Sequence, residues 1–300
     1  MATVNNSLAK TQQKVGLTAY LTQSAVKDQI NKVVGGKDGQ KFIASIISAV
    51  QTNPALQECT NSSILSAALL GESLKLSPSP QLGYYYLVPY KNTKTGQTES
   101  QFQIGWKGLY QLAVRSGQYK KINVMSIKEG ELLKYDPMNE EIEVQLIEDE
   151  DEREAAPTIG YYAFFELNNG YKKTMYWSKA KMQNHAKRYS QGYRRDLEKK
   201  TEYTFWSKDF DSMAYKTMLR QLLGKYGIMS IEMQSAYESD QAVIQEDGTK
   251  DYVDTVYEAP QTAKAIEQKA EPEKKTSKKT ETAKSEPQTA ENEAEKALFG

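Results

Sequence analysis

Ile104-Gly105-Trp106-Lys107-Gly108-Leu109, running on to Arg115-Ser116-Gly117 and Lys120-Lys121, puts glycines, a tryptophan and four cations into one short stretch. Glycine lets a backbone come close to a ligand, and a helix starting beside it would aim free N–H groups at a phosphate. Lys107, Arg115, Lys120 and Lys121 have no acid between them, so the chemistry they suit is the grip of a polyanion, with Trp106 and Gly108 at its centre. The same residues also fit an ordinary strand-to-helix turn with a core tryptophan, and spacing alone leaves both readings open.

A second stretch interleaves cations with rings: Lys179, Lys181, His185, Lys187, Arg188, Tyr189, Tyr193, Arg194, Arg195, Lys199 and Lys200. Cations can hold a sugar-phosphate chain while any base stacks on a ring, which suits a single strand of nucleic acid. A charge run is more often a solvated face, but the length and arginine content of this one favour binding. A third segment, Tyr203 to Lys225, places Met213, Ala214, Thr217 and Leu223 at helical spacing. Lys216 and Arg220 lie one turn apart and are expected on the polar side.

Bond-breaking chemistry finds little support. There is no glycine-rich P-loop, which argues against a strand-exchange ATPase. One histidine, His185, and one cysteine, Cys59, cannot make a usual zinc site or a Cys-His dyad. His185 reads as a surface or DNA-side group, and Cys59 as a small buried residue. Glu148 to Asp151 are of a type that attracts Mg²⁺, but a contiguous acidic run is usually a solvated loop, and no cofactor is required. A nuclease using these carboxylates is the competing class, and a structural protein with an incidentally basic face is the third.

The elements that must position these residues read as helices, then sheet, then helices. Leu17, Tyr20, Leu21, Val26, Ile30 and Val33 predict a first helix ended by Gly35-Gly36. Phe42, Ile46 and Val50 recur every four residues in a second helix, stopped by Asn53-Pro54. Thr60 to Ser63 offers N-caps for a third, running to about Leu74. Tyr84 to Val88 and Phe102 to Trp106 predict a hairpin. A short helix ending at Gly117 should follow, then strands from Ile122 and around Ile142 to Leu146. Asn168-Asn169-Gly170 between two aromatic runs is a strong turn signal. Next come a helix from Ser178 to about Arg188, a basic polar stretch and a long helix from Phe205 to Tyr226. That order predicts an α+β fold with a curved antiparallel β-sheet packed with helices.

Hydrophobic residues make up 39% of the chain and formal net charge is zero, so the whole-chain balance says nothing of a polyanionic partner. The distribution is polarised. Glu129 to Glu154 holds twelve acids against two bases, whereas Lys172 to Lys225 holds fourteen bases against five acids. No apolar run reaches the 18 to 20 residues a membrane span needs, no signal core is evident, and a lone cysteine suits a reducing compartment, so a cytoplasmic protein is expected. Residues 1–15 read as a flexible arm, 16–240 as the binding and assembly domain, and 241–300 as a largely disordered tail, with Leu298-Phe299 as a small apolar anchor.

Several motifs, taken in order, resemble the pattern of the RecT family of phage single-strand DNA annealing proteins. They are Asn53-Pro54 with Leu56, Cys59-Thr60, Ser63-Ile64, Gly71 to Leu76, Pro78, Val88-Pro89-Tyr90, Gln103 to Gly108, Arg115-Ser116-Gly117 and Met213 to Arg220. The match covers roughly residues 40 to 230, and several motifs in register are hard to obtain by chance. The resemblance implies annealing of complementary strands without ATP, homo-oligomeric rings or helical filaments, and partnership with a phage exonuclease. A host single-strand-binding protein is a further expected partner for the tail. One strand would lie between Trp106, Lys107, Arg115, Lys120 and Lys121 on one side and Lys187 to Lys200, with Lys216 and Arg220, on the other. Whether the acidic segment meets a neighbour's basic surface or repels wrongly placed DNA stays open.

Overall fold

The first apolar stripe folds as two helices. α1 (Leu17–Leu21) stops at Thr22, whose hydroxyl turns back to the Thr18 carbonyl at 3.0 Å. Such back-bonding competes with helix continuation. α2 (Ser24–Val34) then buries Val26 and Ile30 and ends at Gly35, whose φ of 83° suits a residue without a Cβ. α3 (Gly39–Thr52) buries Phe42, Ile43, Ile46 and Val50, the four-residue recurrence read from the sequence. A 3₁₀ turn follows at Pro54–Glu58. α4 (Asn61–Ser73) is buried on nearly every side from Ser63 to Leu69. Thr60 stands at its start, but its hydroxyl donates to Ser63 Oγ (2.9 Å) rather than accepting from the helix backbone.

The computed structural model describes residues 15–92 and 95–252, all within one unit of the chain. β1 (Tyr85–Lys91) and β2 (Thr98–Ile104) form the expected hairpin. α5 (Trp106–Arg115) begins directly after Gly105, so Trp106 opens a helix instead of closing a strand. β3 (Tyr119–Lys128), β4 (Leu132–Asp136), β5 (Glu141–Val144), the short α6 (Glu150–Ala155), β6 (Thr158–Leu167) and β7 (Lys172–Ser178) follow. The turn between β6 and β7 holds Gly170 at φ 86°, as expected of Asn168-Asn169-Gly170.

Next come α7 (Lys179–Tyr189), α8 (Gln191–Lys199), the single turn α9 (Phe205–Lys208), α10 (Phe210–Tyr226), α11 (Ile231–Ser239), β8 (Ala242–Ile244) and β9 (Lys250–Tyr252). The basic polar stretch is therefore a helix, α8, and the long helix is broken at Asp209. The class is α+β, and the strands form three antiparallel sheets: β1-β2-β8-β9, β3-β6-β7, and β4 with β5 alone. β8 pairs with β2 through Phe102↔Ala242, so the folded chain continues past residue 240, where the sequence pattern places the tail boundary. The arm at 1–14, and the tail from 253 with its Leu298-Phe299 anchor, lie outside the described residues.

One continuous core joins these layers. α10 lies at its centre, packed against α5 on one side and the β3-β6-β7 sheet on the other. It buries Ala214, Lys216, Thr217, Met218, Leu219, Leu222 and Leu223, which between them occupy most of its circumference. Tyr161 of β6 fixes its first turn by donating to Asp211 Oδ1 at 2.6 Å.

Candidate nucleic-acid interface

α7 and α8 present the cations. Ser178 Oγ accepts from Lys181 N and Ser190 Oγ from Tyr193 N, so each helix has a side-chain N-cap. In α8 the inward positions are Tyr193 and Asp196, three residues apart, which leaves Arg194, Arg195, Lys199 and Lys200 exposed. Lys187, Arg188 and Tyr189 are exposed at the end of α7, with the Arg188 guanidinium 5.4 Å from the Tyr189 ring. Among the described residues, Lys187, Arg194, Arg195, Lys199 and Lys200 form no ion pair.

Asp196 organises the loop that follows. Its buried carboxylate accepts from Thr201 Oγ1 (2.8 Å), Tyr203 N (3.2 Å), Thr204 N (2.8 Å), Thr204 Oγ1 (2.7 Å) and Ser207 Oγ (2.7 Å). Burial pushes this carboxyl up, but the hydrogen bonds from Thr204, Ser207 and Thr201 outweigh it and hold the pKa well below the ordinary value. The chain can therefore reverse at Lys200 (φ 52°) and run on into α9 on fixed geometry. Sequence reasoning passed over Asp196; the density of Thr and Ser at 201, 204 and 207 was its only signal.

His185 is half-buried between rings, 5.4 Å from Trp177 and 4.5 Å from Tyr189. Burial, with Arg188 and Lys225 nearby, pushes its pKa down to about 4. It is neutral at neutral pH and adds nothing to the positive field, which corrects its reading as a surface group. An NMR titration of the folded protein should show the His185 ring protonating near pH 4. The unfolded chain takes up that proton near the ordinary value of 6.5, so this group's contribution to stability is present above that pH and is lost as pH falls toward 4. A ring that titrates near 6.5 in the native state would contradict its burial.

An aromatic seam carries the α5 motif toward α8. Trp106 meets Tyr215 edge-on at 5.7 Å, Tyr215 lies 6.1 Å from Tyr161, and Tyr161 lies 6.2 Å from Phe210. Phe210 in turn packs on Tyr193 of α8 (6.1 Å) and Trp206 of α9 (5.1 Å). A second bridge runs from Tyr86 of β1 to Phe205, 5.6 Å between ring centres. Lys107 is exposed beside this seam, its ammonium 5.8 Å from the Trp106 ring, and it forms no ion pair among the described residues.

Other expected contacts lie elsewhere. Arg115 donates to the carbonyls of Leu74 (2.7 Å) and Lys75 (3.2 Å), satisfying the end of α4 from a helix far along the chain. Lys120 and Lys121 are exposed at the start of β3, where Lys120 pairs with Glu166 at 2.8 Å. Gly108 is buried, and a Cβ there would stand 2.1 Å from the Tyr84 carbonyl, so its small size serves chain-to-chain packing.

Lys216 and Arg220 do not face solvent together. Lys216 is 6% exposed and pairs with Asp240 at 2.8 Å, while Arg220 reaches the other Asp240 oxygen at 3.0 Å and the Tyr237 carbonyl at 3.2 Å. The side expected to be polar is interior because α11 lays Tyr237 and its C-cap Asp240 against it. Of Lys107, Arg115, Arg195 and Lys216, only Lys107 and Arg195 remain exposed without a protein partner in the described residues.

The acidic segment has its own anchor. Glu131 is fully buried and accepts from Arg153 Nε (2.6 Å) and Lys128 N (2.7 Å). Burial raises its pKa, but Arg153 and the backbone N–H groups of Lys128 and Ile147 outweigh that and hold it below the ordinary glutamate value. Glu148, Asp149, Glu150, Asp151, Glu152 and Glu154 lie on or beside α6, all of them exposed. Among the described residues, no three His, Cys, Asp or Glu side chains converge as metal ligands would, and no helix is long and apolar enough to cross a membrane.

A family model described as "RecT family" matches residues 40–254. "Uncharacterized protein YqaK" of Bacillus subtilis (strain 168) is 40% identical over 248 residues, covering 83% of this chain and 78% of that protein. "Protein RecT" of Escherichia coli (strain K12) is 28% identical over 226 residues, covering 74% of this chain and 79% of that one.

Proposed function

Because the chain belongs to the RecT family, whose role is DNA recombination through single-strand annealing, we propose that it holds single-stranded DNA on the exposed cations of α7 and α8. The observation that carries this reading is the row Arg194, Arg195, Lys199 and Lys200, exposed and without protein counter-ions in the described residues. Lys187, Arg188 and Tyr189 continue it on α7, and Lys107 with Trp106 flanks it across the aromatic seam. Lys120 and Lys121 form a second cationic patch at the start of β3.

Cations on the backbone leave base edges free to test a second strand. Correct pairing then contributes stacking of about 1.4 kcal/mol per step, so complementary partners stay without nucleotide hydrolysis or metal. Homo-oligomers in the cytoplasm of a bacterial host would extend the track along DNA. The acidic segment would meet the basic face of a neighbour, and residues from 253 onward would reach an exonuclease or a host single-strand-binding protein.

Replacing Arg194, Arg195 and Lys199 with alanine, which preserves helix propensity on an exposed face, and Lys200 with glycine, which suits its φ of 52°, tests the track. The slope of log K against log salt for a single strand should flatten by about 0.7 for every phosphate that the variant no longer neutralises, with annealing slowed in step. An unchanged slope would reject this surface. In the same assay, labelled strands should return as intact duplex without ATP, whereas shortened strands would identify a nuclease.

A further inference from the structure

The loop after α8 presents an aromatic ring that the fold does not use. Tyr203 is 81% exposed, and neither its ring nor its hydroxyl meets a hydrogen-bonding or ring partner among the described residues. The loop itself is rigidly specified: Asp196 takes hydrogen bonds from Thr201, Thr204, Ser207 and the Tyr203 backbone, none of which needs a tyrosine side chain. Two residues on, Phe205 is 45% exposed and packs on Tyr86, extending the apolar surface toward β1. A large ring held in water on a fixed loop contributes little burial to folding and meets no partner among the described residues, so its face is open to a ligand.

The surroundings narrow what that contact is. Arg194, Arg195, Lys199 and Lys200 are exposed along the same stretch, against the exposed acids Glu198, Glu202 and Asp209. Cations immediately before an open ring match a nucleotide, with phosphates on the cations and the base on the ring. We propose that Tyr203, with Phe205 beside it, is a base-stacking platform for single-stranded DNA. The proposal rests on the α8 phosphate track described above. Because the loop is already ordered, stacking loses little conformational freedom on binding. Stacking is indifferent to base identity, which suits a protein that must hold any sequence while its pairing edges stay open.

The test uses the full chain, its Tyr203→Ala and Tyr203→Phe variants, and three strands: an oligothymidine, the same oligonucleotide made abasic, and one carrying 2-aminopurine. Stacking contributes about 1–3 kcal/mol per base, so Tyr203→Ala should weaken oligothymidine binding by about five- to a hundred-and-fiftyfold. Tyr203→Phe should restore it, and the salt slope should stay that of the unmodified protein. The abasic strand should bind the unmodified protein more weakly and be indifferent to Tyr203→Ala. A 2-aminopurine in the strand should lose fluorescence on binding, and less so with Tyr203→Ala. Equal weakening of both strands, as loss of self-assembly would cause, overturns the platform, and so does a flattened salt slope. If Tyr203→Ala binds as tightly as the unmodified protein while the α8 variant loses salt slope, the platform fails and the phosphate track stands.

Discussion

Asp240→Ala is expected to lower stability by about 3–5 kcal/mol, the cost of removing one partner from a buried ion pair. Three groups lose their acceptor together: the Lys216 ammonium at 2.8 Å, the Arg220 guanidinium at 3.0 Å and the Ile104 N–H at 3.1 Å. Burial depresses the Lys216 pKa, Asp240 opposes that, and Arg220 adds to the depression, so without Asp240 the ammonium has no local reason to stay charged. Urea unfolding should show the midpoint falling with an unchanged slope. Lys216→Met should cost less, because Asp240 then keeps both Arg220 and Ile104 and the new side chain suits a buried site. Asp240→Ala with an unshifted midpoint would mean that these contacts add nothing to the folded state. The consequence reaches the proposed DNA surface, since Ile104 immediately precedes Gly105-Trp106-Lys107, and a loosened Ile104 N–H is expected to weaken strand binding as well.

Gly108→Ala should destabilise by about 3 kcal/mol or more, the upper end for overpacking, although alanine is ordinarily the better helix former by about 1 kcal/mol. The sign reverses because a Cβ would lie 2.1 Å from the Tyr84 carbonyl oxygen, a backbone atom that cannot swing aside. That carbonyl also accepts from Gly105 N at 2.8 Å, so moving it disturbs the turn that leads into Trp106 and Lys107. Gly36→Ala is the control: nothing lies within 4 Å of its Cβ position, and its stability should stay within about 0.5 kcal/mol of the parent's. A Gly108→Ala protein as stable as its parent would show that α5 can shift away from Tyr84 at no cost.

Much of the fold is legible in the sequence where the signal is local. The recurrence of Phe42, Ile46 and Val50, the stop at Asn53-Pro54, Gly117 after α5 and the Asn168-Asn169-Gly170 turn each depend on residues within a turn or two of one another. Periodicity and turn chemistry act over that range, so they can be read without knowing what packs on them. The cations of α8 are recognisable as a group for the same reason, although a helix of such polar composition reads as an irregular stretch. β8 and β9, three residues each, are too short to show alternation.

Tertiary structure decided which charges face water. Helical spacing places Lys216 and Arg220 on one side of α10 but cannot say that α11 will lie against that side and bring its C-cap Asp240 to it. Arg115 looks like a free cation until the end of α4 arrives beside it, and Asp196 resembles any surface acid until the loop to α9 folds around it. A charge is buried or exposed according to partners that lie 5 to 41 residues away in these cases, and the free energy of pairing or solvating it belongs to the assembled core. The chain alone thus determined family, class and the stretches rich in cations, while the packing of α10 against α5 and β6 and its hydrogen bonds to α11 selected which of those cations remain exposed.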